Sequence, residues 1–253
     1  MMFIKSLFLI SLFFLLTVAA FAQEEEEKQG SKMLNLIEDD YILKNYQFKN
    51  GQSLAELRLH YATFGTPIRD RKGTVTNAVL ILHWSGASGA DLMNAAFSKE
   101  LYGPGQALDL TKYFIIVPDN IGHGRSSKPS DGLRAKFPNY RFADMVDLQH
   151  RLVTERLGIP RLRLILGLSI GGMHAWMWGE QYPDAAEALM PVVSLPAPVS
   201  GRNALWRKII TEAVRSDPEW KNGNYIEQPH SWTAMFPLTL IDARRRSPAS
   251  AES

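Results

Sequence analysis

The chain has 253 residues, 45% of them apolar and 21% charged, with 18 Gly and 14 Pro. These are globular values, and they exclude collagen-like repeats, coiled coil and long disorder as the main architecture. A formal net charge of +2 gives no electrostatic case for a nucleic-acid partner, and zero cysteine excludes disulfides, thiolate metal sites and a cysteine nucleophile.

Residues 1–22 read as a secretory signal peptide. Lys5 precedes the apolar run 6–20 (SLFLISLFFLLTVAA), which ends in the small-residue site Ala20-Phe21-Ala22. The run is shorter than the roughly 18 to 20 apolar residues that span a bilayer, so cleavage after Ala22 is predicted in preference to an uncleaved anchor. The expected product is periplasmic or secreted, with no membrane segment once the signal is removed. Export without cysteine suits a bacterial periplasm, where disulfides are allowed but not required. Residues 23–40, with the acidic stretch Glu24 to Glu27, read as a flexible start to the mature chain.

From residue 41 the pattern alternates. Segments 41–48 and 54–63 are β-rich and flank Asn50-Gly51, which predicts a hairpin with a type I′ turn. Leu57, Leu59 and Tyr61 alternate with polar neighbours, as in a half-exposed strand. Continuous apolar runs at 78–82 (AVLIL), 113–117 (YFIIV) and 162–168 (LRLILGL) predict buried strands. A fourth is expected at 188–195, although Pro191 removes one ladder donor there. Phe142, Met145, Val146, Leu152, Val153 and Leu157 share one face of a helix over 142–157, and further helices are expected over 173–182 and 203–214. Short apolar strands between amphipathic helices predict an α/β fold: a mostly parallel sheet with helices on both faces. The polar end, 244–253, reads as a disordered tail.

The chemistry centres on Gly167-Leu168-Ser169-Ile170-Gly171, a G-x-S-x-G that follows an apolar strand and opens a helix. In that context the pattern fits a nucleophile elbow, whose glycines allow a turn too tight for side chains and leave the serine hydroxyl exposed above the sheet. His83-Trp84-Ser85-Gly86 follows the strand ending at Leu82, where such folds place one oxyanion donor. The candidate donors are the backbone N–H groups of Ser85 and Ile170, each worth about 3 kcal/mol to a tetrahedral intermediate. His83 taken alone reads as a packed loop histidine. Asp119-Asn120-Ile121-Gly122-His123-Gly124-Arg125-Ser126-Ser127 also fits a plain turn after the strand ending at Val117.

These three motifs, in this order, resemble the α/β-hydrolase superfamily. PDNIGHGRSSKPSDGL, LGLSIGGMHAWMWGEQYPD and LMPVVSLPAPVSGRNALWRKII resemble its homoserine O-acetyltransferase branch, over about residues 41 to 225. The resemblance implies a serine acyl-transfer enzyme: Ser169 would take an acyl group as an ester and pass it to an alcohol or to water. It also implies a hydrolase core over 41–200 and the start of a helical lid over 201–243. Arg202 in that lid matches a family arginine near the substrate pocket. The implied partner is a small-molecule acyl ester or alcohol. Export argues against acetyl-CoA as donor, so an esterase and an acyltransferase are both carried forward.

The triad is not completed by the sequence. A base within reach of the serine is required, and by the resemblance the acid and the histidine follow two further strands. After Ser169 the candidates are His174, His230, Asp184, Asp217 and Asp242. His174 lies one turn into the elbow helix and is expected to point along it. Asp217 and His230 have the right order, but no buried strand precedes either. Acid and base are therefore unassigned, and the expectation is a truncated or frame-shifted copy with its last strands missing and only weak catalysis. The alternative is an inactive relic or a non-catalytic binding module. No metal is expected, because the histidines show no ligand spacing, and no cofactor, because neither a P-loop nor a dinucleotide motif follows a strand.

Overall fold

The structure, a computed structural model, describes residues 36–235. The predicted signal peptide and the polar tail lie outside the described residues. Among the described residues, six strands form one sheet in the order β1-β2-β4-β3-β5-β6. They are β1 (Ile37–Gln47), β2 (Ser53–Gly65), β3 (Ala78–Leu82), β4 (Phe114–Pro118), β5 (Leu164–Leu168) and β6 (Leu189–Val192). The β1–β2 and β2–β4 pairs are antiparallel, and β4, β3, β5 and β6 run parallel to one another. The helices are α1 (Ala95–Leu101), α2 (Phe142–Arg151), α3 (Ile170–Gln181) and α4 (Gly201–Ser216). This is the α/β sheet predicted from the alternating pattern.

All five residues of β3 are buried, as a central parallel strand covered on both faces requires. Val79 and Ile81 of β3 join Phe64, Ile115, Val117 and Tyr102 in one core cluster. Each such side chain contributes about 1.5–3 kcal/mol through removal from water. Pro191 is accommodated because β6 pairs only with β5 among the described residues, opposite Gly167, so its missing N–H leaves the ladder intact.

Several boundaries and turns differ from the sequence reading. β1 begins at Ile37, inside the segment expected to be a flexible start. Its charged residues there are paired: Glu38 with Arg125 at 2.7 Å, Asp39 with Arg156, and Asp40 with His60 at 2.8 Å. The β1–β2 hairpin forms, but not through a type I′ turn. Gly51 N donates to Phe48 O and Phe48 N to Gln52 O, both at 2.9 Å, and Gly51 alone of the loop takes positive φ (+85°). That is a longer loop with glycine in the left-handed position, held by Asn50 Oδ1 accepting from Gln52 N at 2.9 Å. β2 is half-exposed only at first. From Leu59 to Phe64 it is buried on both faces, because there it enters the sheet between β1 and β4.

The helix expected over 142–157 is α-helical only to Arg151. It continues as a π-turn over Leu152–Arg156, with Leu157 N donating to Leu152 O at 3.0 Å. The described residues divide into two compact units, one of 36–127 with 138–196, the other of 128–137 with 197–235. In the second, α4 has no buried residue among those described. Asp217 caps the next turn by accepting from Glu219 N and Ser231 N, both at 2.9 Å. A cleft of about 500 Å³ there is lined by Ile210, Val214, Trp220, Tyr225 and Trp232, and Trp220 stacks on Tyr225 at 5.3 Å.

Candidate active site

Ser169 sits between the end of β5 and the start of α3, with φ 54° and ψ −111°. A non-glycine residue held there stores strain of about 1–3 kcal/mol, which persists only where the surroundings over-determine it. The surroundings do so. Ser169 N donates to Val192 O of β6 at 2.9 Å, and Met173 N donates to Ser169 O at 3.0 Å. The flanking glycines are sterically required. A Cβ on Gly167 would lie 2.1 Å from Gly171 O, and one on Gly171 would lie 2.3 Å from Leu82 O. The first turn of α3 is thus pressed against the carbonyl end of β3, where the His83–Gly86 loop begins. Ile170 N–H is the first amide of α3 and has no partner within the helix. The turn has the shape of a nucleophile elbow.

The loop after β3 is rigidly held. His83 is fully buried; its Nε2 accepts from Asn120 N at 3.1 Å, and its Nδ1 lies 2.9 Å from Trp84 O. Burial keeps its pKa below the ordinary histidine value. It is the packed loop histidine expected. Trp84 stacks on Phe97 of α1 at 6.1 Å, and Ala87 N closes a turn onto Trp84 O at 3.2 Å. Ser85 lies within that turn, and its Oγ is buried without a partner among the described residues.

The stretch 119–127 is a brace. Buried Asp119 accepts from Gly89 N and Arg125 N, both at 2.6 Å. A side chain at Gly124 would meet the Asp119 carboxylate at 2.1 Å. Ser126 Oγ donates to Asp119 O at 2.8 Å and accepts from His60 N at 2.9 Å, stitching the exit of β4 to β2.

The candidates for acid and base are dispersed. His174 is fully buried, and desolvation, reinforced by His83 and His123, lowers its pKa to about 3. Its Nδ1 lies 3.0 Å from Gln149 Nε2, so it faces the interior. Asp217 spends its carboxylate on two backbone amides, which hold it below the usual carboxylate range, Ser231 N first. Exposed His230 lies 3.5 Å from Glu219 instead. Asp184 and Arg202 are exposed, and Asp242 lies outside the described residues. Among the described residues, Asp217 and His230 share no hydrogen bond or ion pair, although His230 acts on the Asp217 charge, and no group of three or more His, Asp or Glu could hold a metal ion. The sequence reading missed the buried Asn120–Gln149–His174–Trp178 chain behind the elbow. Its one visible signal is Gln149, set among Met145, Val146 and Leu148 on α2 and Leu152 just after it.

A mostly parallel sheet, helices, and a serine on a strained strand-to-helix turn define the α/β-hydrolase class. The alpha/beta hydrolase fold family matches residues 78–240. The chain belongs to that family, in a branch that resembles the homoserine O-acetyltransferases. It is 33% identical over 198 residues to a probable acyltransferase of Methanothermobacter thermautotrophicus, covering 78% of this chain and 60% of that protein. It is 33% identical over 195 residues to a homoserine O-acetyltransferase of Thermobifida fusca, covering 72% and 50%. The acetyl esterase MekB superposes with a TM-score of 0.70 at 28% identity, covering 84% of this chain and 60% of that one. The chain therefore spans 50–60% of the length of these relatives.

Proposed function

We propose that the chain carries the nucleophile half of a serine acyl-transfer site. In this reading Ser169 attacks the carbonyl carbon of a small acyl ester. The backbone N–H groups of Ile170 and Ser85 take the negative oxygen, the ester C–O bond breaks, the Ser169 hydroxyl proton ends on the departing oxygen so that an alcohol leaves, and the acyl group stays on Ser169 Oγ until an alcohol or water removes it. The observation that carries this reading is the strained φ/ψ of Ser169 between two glycines that tolerate no Cβ. The similarity to acyltransferases and to an acetyl esterase supports both hydrolysis and transfer. Arg202 is proposed as a contact for the substrate.

Residues 1–22 support export to a periplasm or the exterior. Among the described residues no helix is long and apolar enough to cross a membrane.

A second reading, a binding pocket without turnover, is favoured by the separate engagements of Asp217 and His230. A fluorophosphonate probe separates the two, because it reacts only with an activated serine. Acyl transfer predicts labelling of the folded protein that Ser169→Ala removes; a folded protein that stays unlabelled supports the binding pocket.

A further inference from the structure

A buried polar chain behind the elbow joins α2, α3 and the loop after β4. Trp178 Nε1 can only donate, and it donates to Gln149 Oε1 at 3.0 Å. That contact orients the amide, so Gln149 Nε2 is the donor to Asn120 Oδ1 at 2.6 Å and to His174 Nδ1 at 3.0 Å. His174 Nδ1 is therefore an acceptor, and a neutral ring carries its hydrogen on Nε2. Asn120 is oriented in the same way: Oδ1 accepts, and Nδ2 keeps its two hydrogens. Its backbone N–H goes to His83 Nε2, which places the His83 hydrogen on Nδ1, toward Trp84 O.

Two groups of this chain are left over, and both are donors. His174 Nε2 and Asn120 Nδ2 have no partner among the described residues, although His174 is fully buried and Asn120 is 2% exposed. A buried N–H left unpaired loses its hydration without replacement, and buried polar groups are as a rule satisfied. Two orphan donors in one network call for an acceptor oxygen. In a closed interior the group that fits is a water, which typically makes about three hydrogen bonds to such atoms. The titratable groups facing His174 are His83 and His123, from the loops after β3 and β4, and both oppose a charge on it. From α2, the Phe142 ring meets it edge-on at 5.2 Å.

We propose that His174 and Asn120 form an internal site for one ordered water, with the His174 ring locked as its Nε2–H tautomer by Gln149. The water ties α3 to the loop after β4, behind Ser169. His174 is then a positioning residue that donates, and it does not serve Ser169 as a proton acceptor. Only the role of Ser169 as a nucleophile rests on the acyl-transfer reading; the tautomer and the water do not.

The test is long-range ¹H–¹⁵N correlation of the histidine rings in the uniformly labelled full chain. The expected result for His174 is a protonated Nε2 and a bare Nδ1, unchanged from about pH 8 to pH 5. A proton on Nδ1, or a midpoint near the ordinary histidine value of 6.5, overturns the lock. Gln149→Glu, whose carboxylate can only accept, is expected to move the proton to Nδ1; an unchanged tautomer in that folded variant removes Gln149 as its cause. A crystal structure should show one water within hydrogen-bond distance of both nitrogens, and protein oxygens in that place would overturn the water site. None of these readouts needs acyl transfer, so a Ser169 that fails to acylate leaves them standing.

Discussion

Gly171 and Ser169 stand two residues apart and make opposite demands on substitution. Gly171→Ala forces a Cβ to 2.3 Å from the Leu82 carbonyl oxygen, which is backbone and cannot rotate away. It is expected to destabilise the fold by about 1–3 kcal/mol, read from the urea midpoint. Ser169→Ala keeps the existing Cβ and is expected to stay within about 0.5 kcal/mol of the parent while losing any acylation. His174 sets a pH dependence. Its folded pKa, about 3, lies below the ordinary value of 6.5, so the unfolded chain binds the proton first. Stability is therefore full above about pH 6.5 and falls as pH drops toward 3. His174→Gln, which cannot titrate, is expected to flatten part of that slope in urea midpoints measured across the window. His83 and His150, also lowered by burial, leave a residual slope of the same sign.

Among the elements, the parallel strands were legible because burial on both faces writes itself as an unbroken apolar run. Residues 78–82 match β3 at both ends. The tight turn at Ser169 was legible because two glycines flanking a serine between strand and helix have few other uses. The hairpin turn was misread because Asn50 bonds Gln52 N and stays out of the left-handed region, which Gly51 alone occupies. The π-turn after α2 was hidden because apolar spacing does not reveal one extra residue in a turn. The chain from Trp178 to Asn120 was hidden because it joins elements distant in sequence. Asp119 was quoted for its motif, yet its work is to accept two amides from different loops. Asp119→Ala leaves Gly89 N and Arg125 N without that acceptor and is expected to cost about 2 kcal/mol or more, against less for Asp119→Asn, in thermal or urea unfolding.

At the scale of the whole molecule, the chain matches relatives called acyltransferases and acetyl esterases while spanning 50–60% of their length. Its described residues hold the strained serine and the loop expected to supply one oxyanion donor, and of the candidates for acid and base His174, Asp217 and His230 are engaged with other partners. The export reading makes its own prediction. Expressed from its first codon in a bacterial host, the protein is expected in the periplasmic fraction with Gln23 as its first residue; a membrane-bound product retaining Met1 contradicts it. The most direct test of the central claim is peptide mass spectrometry after brief exposure of the folded protein to an activated acetyl ester such as p-nitrophenyl acetate. The account predicts one acetyl group on the peptide carrying Ser169, absent from Ser169→Ala. Acetylation confined to other residues, or none on a protein shown to be folded, would contradict it.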